Sequence, residues 1–219
     1  MRILIVAATK PEVGPVLARM YSTPTGEAGV DSYTHGAHDV DVMITGVGMV
    51  ATAVRCSHAL ARREYDLALN LGVCGSFDAS LELGTVVHVV SDRLSELGAE
   101  DGKQVLTLEE LELPGASVFT NPAPPSYPPF DTLPAVTGIT VNTVHGTKAS
   151  IAAIAKRFNP QVESMEGAAF MSACLLQKLV FAQVRAVSNR VEPRDKDAWK
   201  MGDAIRNLGV TALRILDQA

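Results

Sequence analysis

Glu166 lies in V-E-S-M-E-G-A-A, residues 162–169, at the head of a segment otherwise made mostly of small and apolar residues as far as Val184. A buried carboxylate without donors is costly, so this side chain must either be paired inside the protein or face a cleft where a ligand supplies the donors. Glu12 raises the same question from another place, directly after the apolar run 3–8 and its sequel Thr9, Lys10, Pro11. Each acid alone has a plain alternative, a first-turn helix charge favoured by the macrodipole, with Ser164 or Thr9 as N-cap. Backbone chemistry is offered by G-V-G-M-V-A-T-A, residues 46–53, where Gly46 and Gly48 follow a strand and let amides approach a ligand. The dinucleotide fingerprint is incomplete there, because Ala51 stands in place of the third glycine. A second such stretch is N-L-G-V-C-G-S-F, residues 70–77, which places Cys74 and Gly75 in a glycine-rich turn after a strand. S-N-R-V-E-P-R-D, residues 188–195, brings Ser188 and Asn189 to the end of the last buried strand.

These places share one property: each follows an apolar run that reads as a strand, and ligands of α/β sheets bind at the carboxyl ends of strands. Residues 1–7 are continuously apolar but for Arg2, the pattern of a central strand buried on both faces, and Thr9 with Pro11 opens a helix. Strands are expected at 30–36, 40–46, 66–71, 85–91, 136–144 and 181–187. Helices are expected from Gly48 to about Arg63, over 147–158, from Met165 onward, and from Asp195 or Asp197 through Trp199 to about Leu216. Between 95 and 134 the periodicity is lost, and seven of the twelve prolines lie between Pro114 and Pro134. A stretch of that length within a compact domain reads as a functional loop or lid, so residues 1–219 form one domain with a Pro-rich loop insertion.

Composition narrows the partners. With 47% hydrophobic and 20% charged residues over 219 positions, the chain is globular and large enough for one α/β core. Lys and Arg total 19 against 24 Asp and Glu, a net charge of −5 with no basic run, which argues against nucleic-acid polymers. Cys56, Cys74 and Cys174 are odd in number and lack metal-ligand spacing, as expected of reduced thiols in a cytoplasmic protein. The apolar start is too short for a signal peptide core or a membrane span.

Taken together, Glu12 after the first strand, G-V-G-M-V-A-T-A, G-V-C-G-S, S-M-E-G-A-A and R-A-V-S-N at 185–189 resemble the nucleoside phosphorylase and nucleosidase superfamily along nearly the whole chain. Within it, S-N-R-V-E-P-R-D-K-D-A-W is most similar to the futalosine hydrolase family, relatives of the methylthioadenosine/S-adenosylhomocysteine nucleosidases. The resemblance implies a three-layer α/β/α fold with a mixed central sheet and hydrolysis of a purine N-glycosidic bond. In that family futalosine releases hypoxanthine on a route to menaquinone, with no metal or other cofactor. It further implies that Glu12 orients or deprotonates the attacking water, Glu166 accepts from the ribose hydroxyls and Met165 packs beside the sugar. Cys74 and Gly75 would line the base pocket, with Val144 or His145 as a further part of the base wall, while Gly46 and Gly48 would border the substrate and Asn189 contact the purine. The adenine-releasing nucleosidases carry aspartic acid where Asn189 stands, and related phosphorylases carry an arginine where Asn70 stands. The expected partners are a small-molecule purine nucleoside and water, within a homo-oligomer. The alternatives are a methylthioadenosine/S-adenosylhomocysteine or aminodeoxyfutalosine nucleosidase, a purine nucleoside phosphorylase, or a nucleoside-binding module without turnover. Arg194 either pairs with the carboxylate of a futalosine side chain or forms an ordinary salt bridge with Glu192 or Asp195, and it is not counted among the site residues.

Overall fold

A computed structural model describes residues 1–24, 29–102 and 104–219. Strand β1 (Arg2–Ala7) divides the molecule by its alternation. Ile3, Ile5 and Ala7 enter one core, while Leu4 and Val6 enter the other. Helix α1 (Lys10–Leu17) follows, with Thr9 as its cap and Pro11 in its first turn. Next come β2 (Tyr21–Thr23), β3 (Asp31–His35), β4 (His38–Ile44), α2 (Met49–Arg62), β5 (Leu67–Ser76) and β6 (Val86–Leu94). The chain continues through β7 (Gly98–Asp101), β8 (Gln104–Thr107), β9 (Val118–Thr120), α3 (Pro128–Asp131), β10 (Ala135–Thr140) and α4 (Lys148–Phe158). It closes with β11 (Val162–Ser164), α5 (Gly167–Leu176), β12 (Phe181–Arg190) and α6 (Met201–Leu216).

The sheet runs β11-β10-β6-β12-β5-β1-β4-β3-β2 and is mixed, since β12 is parallel to β5 but antiparallel to β6. One face packs Val13 and Val16 of α1 and Ala204, Leu208 and Ala212 of α6 against β1, β4 and β5. The other packs Cys56, Ala59 and Leu60 of α2 and Phe170, Met171 and Cys174 of α5. This is the three-layer α/β/α arrangement. One end of the sheet also curls onto itself, because β11 pairs with β10 on one side and antiparallel with β5 on the other. Strands β5, β12, β6, β10 and β11 thus form a closed ring, which sets Glu163 opposite Gly75.

Several expectations are corrected. Residues 70–76 are not a turn but the second half of β5, which runs unbroken to Ser76. Ser164 ends β11 and Glu166 occupies the cap position of α5, though the Ser164 hydroxyl still accepts from the Gly167 amide at 3.3 Å. The 95–134 insertion is not a loop. It holds the β7/β8 hairpin, strand β9 paired with β6, and α3, whose Phe130 enters the core. Residues 136–144 pair only as far as Thr140, and the closing helix starts at Met201 rather than Asp195 or Asp197.

Candidate active site

A cleft of about 440 Å³ opens at the carboxyl ends of β1, β5 and β12, a volume suited to a small ligand. Its walls come from four places in the chain. Thr9 and Glu12 follow β1, Val73, Cys74 and Gly75 belong to β5, Glu163 to Glu166 span the end of β11, and Ser188 and Asn189 end β12. Arg194, Trp199 and Met201 cover it from the segment that leads into α6.

Glu12 is only 7% exposed, unlike a solvated first-turn charge. Its Oε2 accepts from the amide and hydroxyl of Thr9, both at 2.8 Å, and its Oε1 accepts from the Val73 amide at 3.2 Å. Three donors fix the carboxylate against the end of β5, where it is held ready to accept a further proton donor from the cleft.

Glu166 is 5% exposed, and it is both paired and cleft-lining. Its Oε1 accepts from the Gly48 amide at 3.1 Å and its Oε2 meets Arg185 Nη1 at 3.4 Å. Arg185, on β12, is the largest fully buried side chain and rests on Asn70 Oδ1, while Asn70 Nδ2 donates to the Val6 carbonyl at 3.1 Å. A Cβ on Gly72 would stand 2.2 Å from Arg185 Nη1 and 3.0 Å from Glu12 Oε1. The glycine therefore leaves the space that the Arg185 guanidinium occupies beside Glu12. The buried cation offsets part of the cost of burying the Glu166 carboxylate.

Behind Glu166, the first turn of α5 rests on polar groups enclosed by the strand ring. Thr140 Oγ1 accepts from the Ala168 amide at 2.8 Å and donates to Asp92 Oδ1 at 2.9 Å; Gln183 Nε2 donates to Asp92 Oδ2 at 2.9 Å. Burial pushes the Asp92 carboxyl up to about 6, against those hydrogen bonds and the Arg185 charge. Gly167 is obligatory in this packing, since a Cβ would meet Asp92 Oδ2 at 2.1 Å.

At the other end, Asn189 Oδ1 accepts from the Ser188 hydroxyl at 2.8 Å and its Nδ2 donates to the Arg190 carbonyl at 2.8 Å. A β-bulge between Val187 and Asn189 lets Ser188 and Asn189 both line the cleft. Burial pushes the Cys74 thiol up to about 12, so it is a neutral wall and not a thiolate nucleophile. Glu163, 3% exposed, accepts from the His145 amide at 3.1 Å and faces His145 Nδ1 at 2.7 Å. Arg194 stacks over Trp199, 5.4 Å from the ring centre, and makes no ion pair among the described residues, so of its two alternatives the salt bridge with Glu192 or Asp195 is not formed.

The structure thus brings Glu12, Glu166, Asn189, Cys74, Gly75 and Met165 to one cleft. Gly46 and Gly48 flank Val47 at its edge, with φ of 80° and 103°, but their amides are engaged by the protein: Gly46 N donates to the Ala8 carbonyl, Gly48 N to Glu166. Sequence reasoning assigned no role to Arg185, Glu163 or Trp199. A charge inside F-A-Q-V-R-A-V carried the same signal as Glu166 and was readable for Arg185. No cluster of three or more His, Cys, Asp or Glu among the described residues is placed to hold a metal ion.

Residues 2–132 match the family described as the Phosphorylase superfamily. A futalosine hydrolase of Streptomyces coelicolor is 31% identical over 218 residues, 95% of this chain and 92% of the relative. One of Thermus thermophilus is 31% identical over 177 residues, 78% of this chain and 79% of the relative. Among solved structures, the native futalosine hydrolase of Helicobacter pylori superposes with a TM-score of 0.83 at 14% identity, covering 99% of this chain and 97% of that one.

Proposed function

The chain belongs to the phosphorylase superfamily and is a hydrolase of N-glycosyl bonds; from that premise we propose that it cleaves futalosine, or a close purine nucleoside, to free hypoxanthine and the free sugar. The observation that carries this reading is the pair of buried carboxylates, Glu12 and Glu166, lining one cleft, with Glu166 paired to the buried Arg185. Cleavage of a ribosyl bond passes through an oxocarbenium-like state, which anionic groups beside the sugar stabilise and which a positioned water captures. Glu166 retains lone pairs for the ribose hydroxyls, with Met165 against the sugar. Glu12, held by three donors, takes the proton of the attacking water. Phosphate in the place of that water would meet two carboxylates, and Asn70 supports Arg185 where a phosphorylase carries a cation. Both features favour hydrolysis over phosphorolysis.

At the base end, Cys74, Gly75 and Asn189 form the wall against a 6-oxopurine. Arg194, with no acidic partner among the described residues, favours a nucleoside bearing a carboxylate over a neutral methylthio compound. On this reading the enzyme serves menaquinone synthesis in the cytoplasm, in keeping with three buried free thiols. It acts as a homo-oligomer, its partner copy covering the exposed Val47, Val50, Val54 and Leu176 beside the cleft. Incubation with futalosine, inosine and aminodeoxyfutalosine, with and without phosphate, tests the reaction. Free hypoxanthine and free sugar at a rate independent of phosphate are expected from futalosine, and a sugar 1-phosphate product would refute the assignment.

A further inference from the structure

Breaking the glycosidic bond leaves its electron pair on the purine, and the base departs far more readily when a proton is delivered to the ring. Asn189 has no ionisable proton to give. We propose that His145, oriented by Glu163, is the general acid that protonates the leaving purine; this inference rests on the hydrolase reading above.

The geometry is that of a built acid rather than a chance surface pair. Glu163 is the middle residue of β11, and the ring closure of the sheet sets it opposite Gly75. A Cβ on Gly75 would stand 3.2 Å from Asn189 Nδ2 and 3.5 Å from Glu163 Cγ, so the amide and the carboxylate flank the same glycine. Both oxygens of Glu163 are engaged by one residue, Oε1 by the His145 amide and Oε2 by His145 Nδ1. Backbone and ring are thereby locked together, and Phe77 packs edge-on to the imidazole at 6.3 Å. The carboxylate holds the proton on Nδ1 and fixes the ring, leaving Nε2, which has no protein partner among the described residues, as the donor. His145 and Glu163 line a small extension of the cleft shared with Asn189 and Trp199.

The step balances. Water gives a proton to Glu12 as its oxygen bonds to C1′, the C1′–N9 electrons pass to the purine, and the proton on His145 Nε2 moves to N7. Neutral His145 then regains a proton through solvent as Glu12 loses one, for a net consumption of one water.

The test uses the full chain with His145→Gln and Glu163→Gln, on futalosine and on p-nitrophenyl β-D-ribofuranoside, whose leaving group needs no proton. His145→Gln is expected to lower kcat on futalosine roughly 100- to 1,000-fold, with aryl riboside hydrolysis within about threefold of wild type. It should also remove the alkaline limb of the kcat–pH profile. The other charged groups at this extension, Arg190, Glu192, Arg194 and Asp195, are unchanged in the variant. Glu163→Gln, which keeps the size of the side chain, should lower kcat on futalosine with little change in KM. Equal loss on both leaving groups, survival of the alkaline limb in the variant, or undiminished purine cleavage would each overturn the proposal. Wild-type protein that cleaves the aryl riboside but no purine nucleoside would overturn the purine nucleosidase reading itself.

Discussion

Glu12 and Glu166 were legible in the sequence for one physical reason: each is an acid where the surrounding pattern demands apolar contact. Their partners were less so. Arg185 carried an equal signal, a cation inside a buried strand, whereas Glu163 sits in a three-residue strand too short for any periodicity to mark. His145 was readable only as a residue near the base wall, because its bond to Glu163 depends on a strand pairing between distant segments. On the proposed mechanism, Glu12 is the one of the two acids whose charge state changes. Glu12→Gln keeps one carbonyl acceptor for Thr9 but sets its N–H₂ against the Val73 amide, and it cannot take the proton of water. A fall in kcat on the order of 100-fold or more is expected, with ligand affinity by calorimetry largely retained. Turnover at the wild-type rate would mark Glu12 as a helix cap and nothing more.

The elements explain both the successes and the misreadings. Strands buried on both faces, such as β1 and β12, announce themselves by unbroken apolar runs. The glycines of β5 misled because glycine usually marks a turn, whereas here Gly72 and Gly75 make room for side chains crossing from β12 and β11. The β7 strand was invisible because all four of its residues are exposed, so no alternation betrays it. The support beneath α5 yields a prediction at this scale. Asp92 in the folded protein holds its proton up to about pH 6, while in the unfolded chain it ionises about two units lower. Its contribution is therefore full in acid and is lost as pH rises through about 6, a difference on the order of 2–3 kcal/mol. Asp92→Asn removes that loss, and Gln183, whose Oε1 is buried without a partner, can turn to accept from the new amide. Melting curves should show the variant gaining roughly 5–10 °C relative to wild type between pH 4.5 and pH 7.5. A difference that does not move with pH would exclude Asp92 as its source.

For the molecule as a whole, the face of α2 and α5 beside the cleft is the least satisfied surface. Val50 is 73% exposed and Leu176 74%, and both line one groove with Met49, Ala53 and Phe119. Apolar side chains clustered so closely on an outer face call for a partner. The solution mass by light scattering is expected to be a multiple of 23.2 kDa, and Val50→Asp to lower it; a monomeric wild type would refute the assembly. The order of the sheet has a further consequence, for how the protein comes into being. Strand β12 lies between β5 and β6, yet it is the last strand in the chain. A ribosome that has delivered everything as far as Val180 has released a sheet with an open seam through its middle, the facing edges of β5 and β6 unpaired. Arg185 is still missing, so Glu166 lacks its cation. Strand β11 can already bridge β10 and β5, and β12 then fills the seam, closes the ring and completes the cleft in one late event. During synthesis that seam is also where another unfinished chain can pair, so the interval before Arg190 emerges is when the protein is most exposed to misassembly.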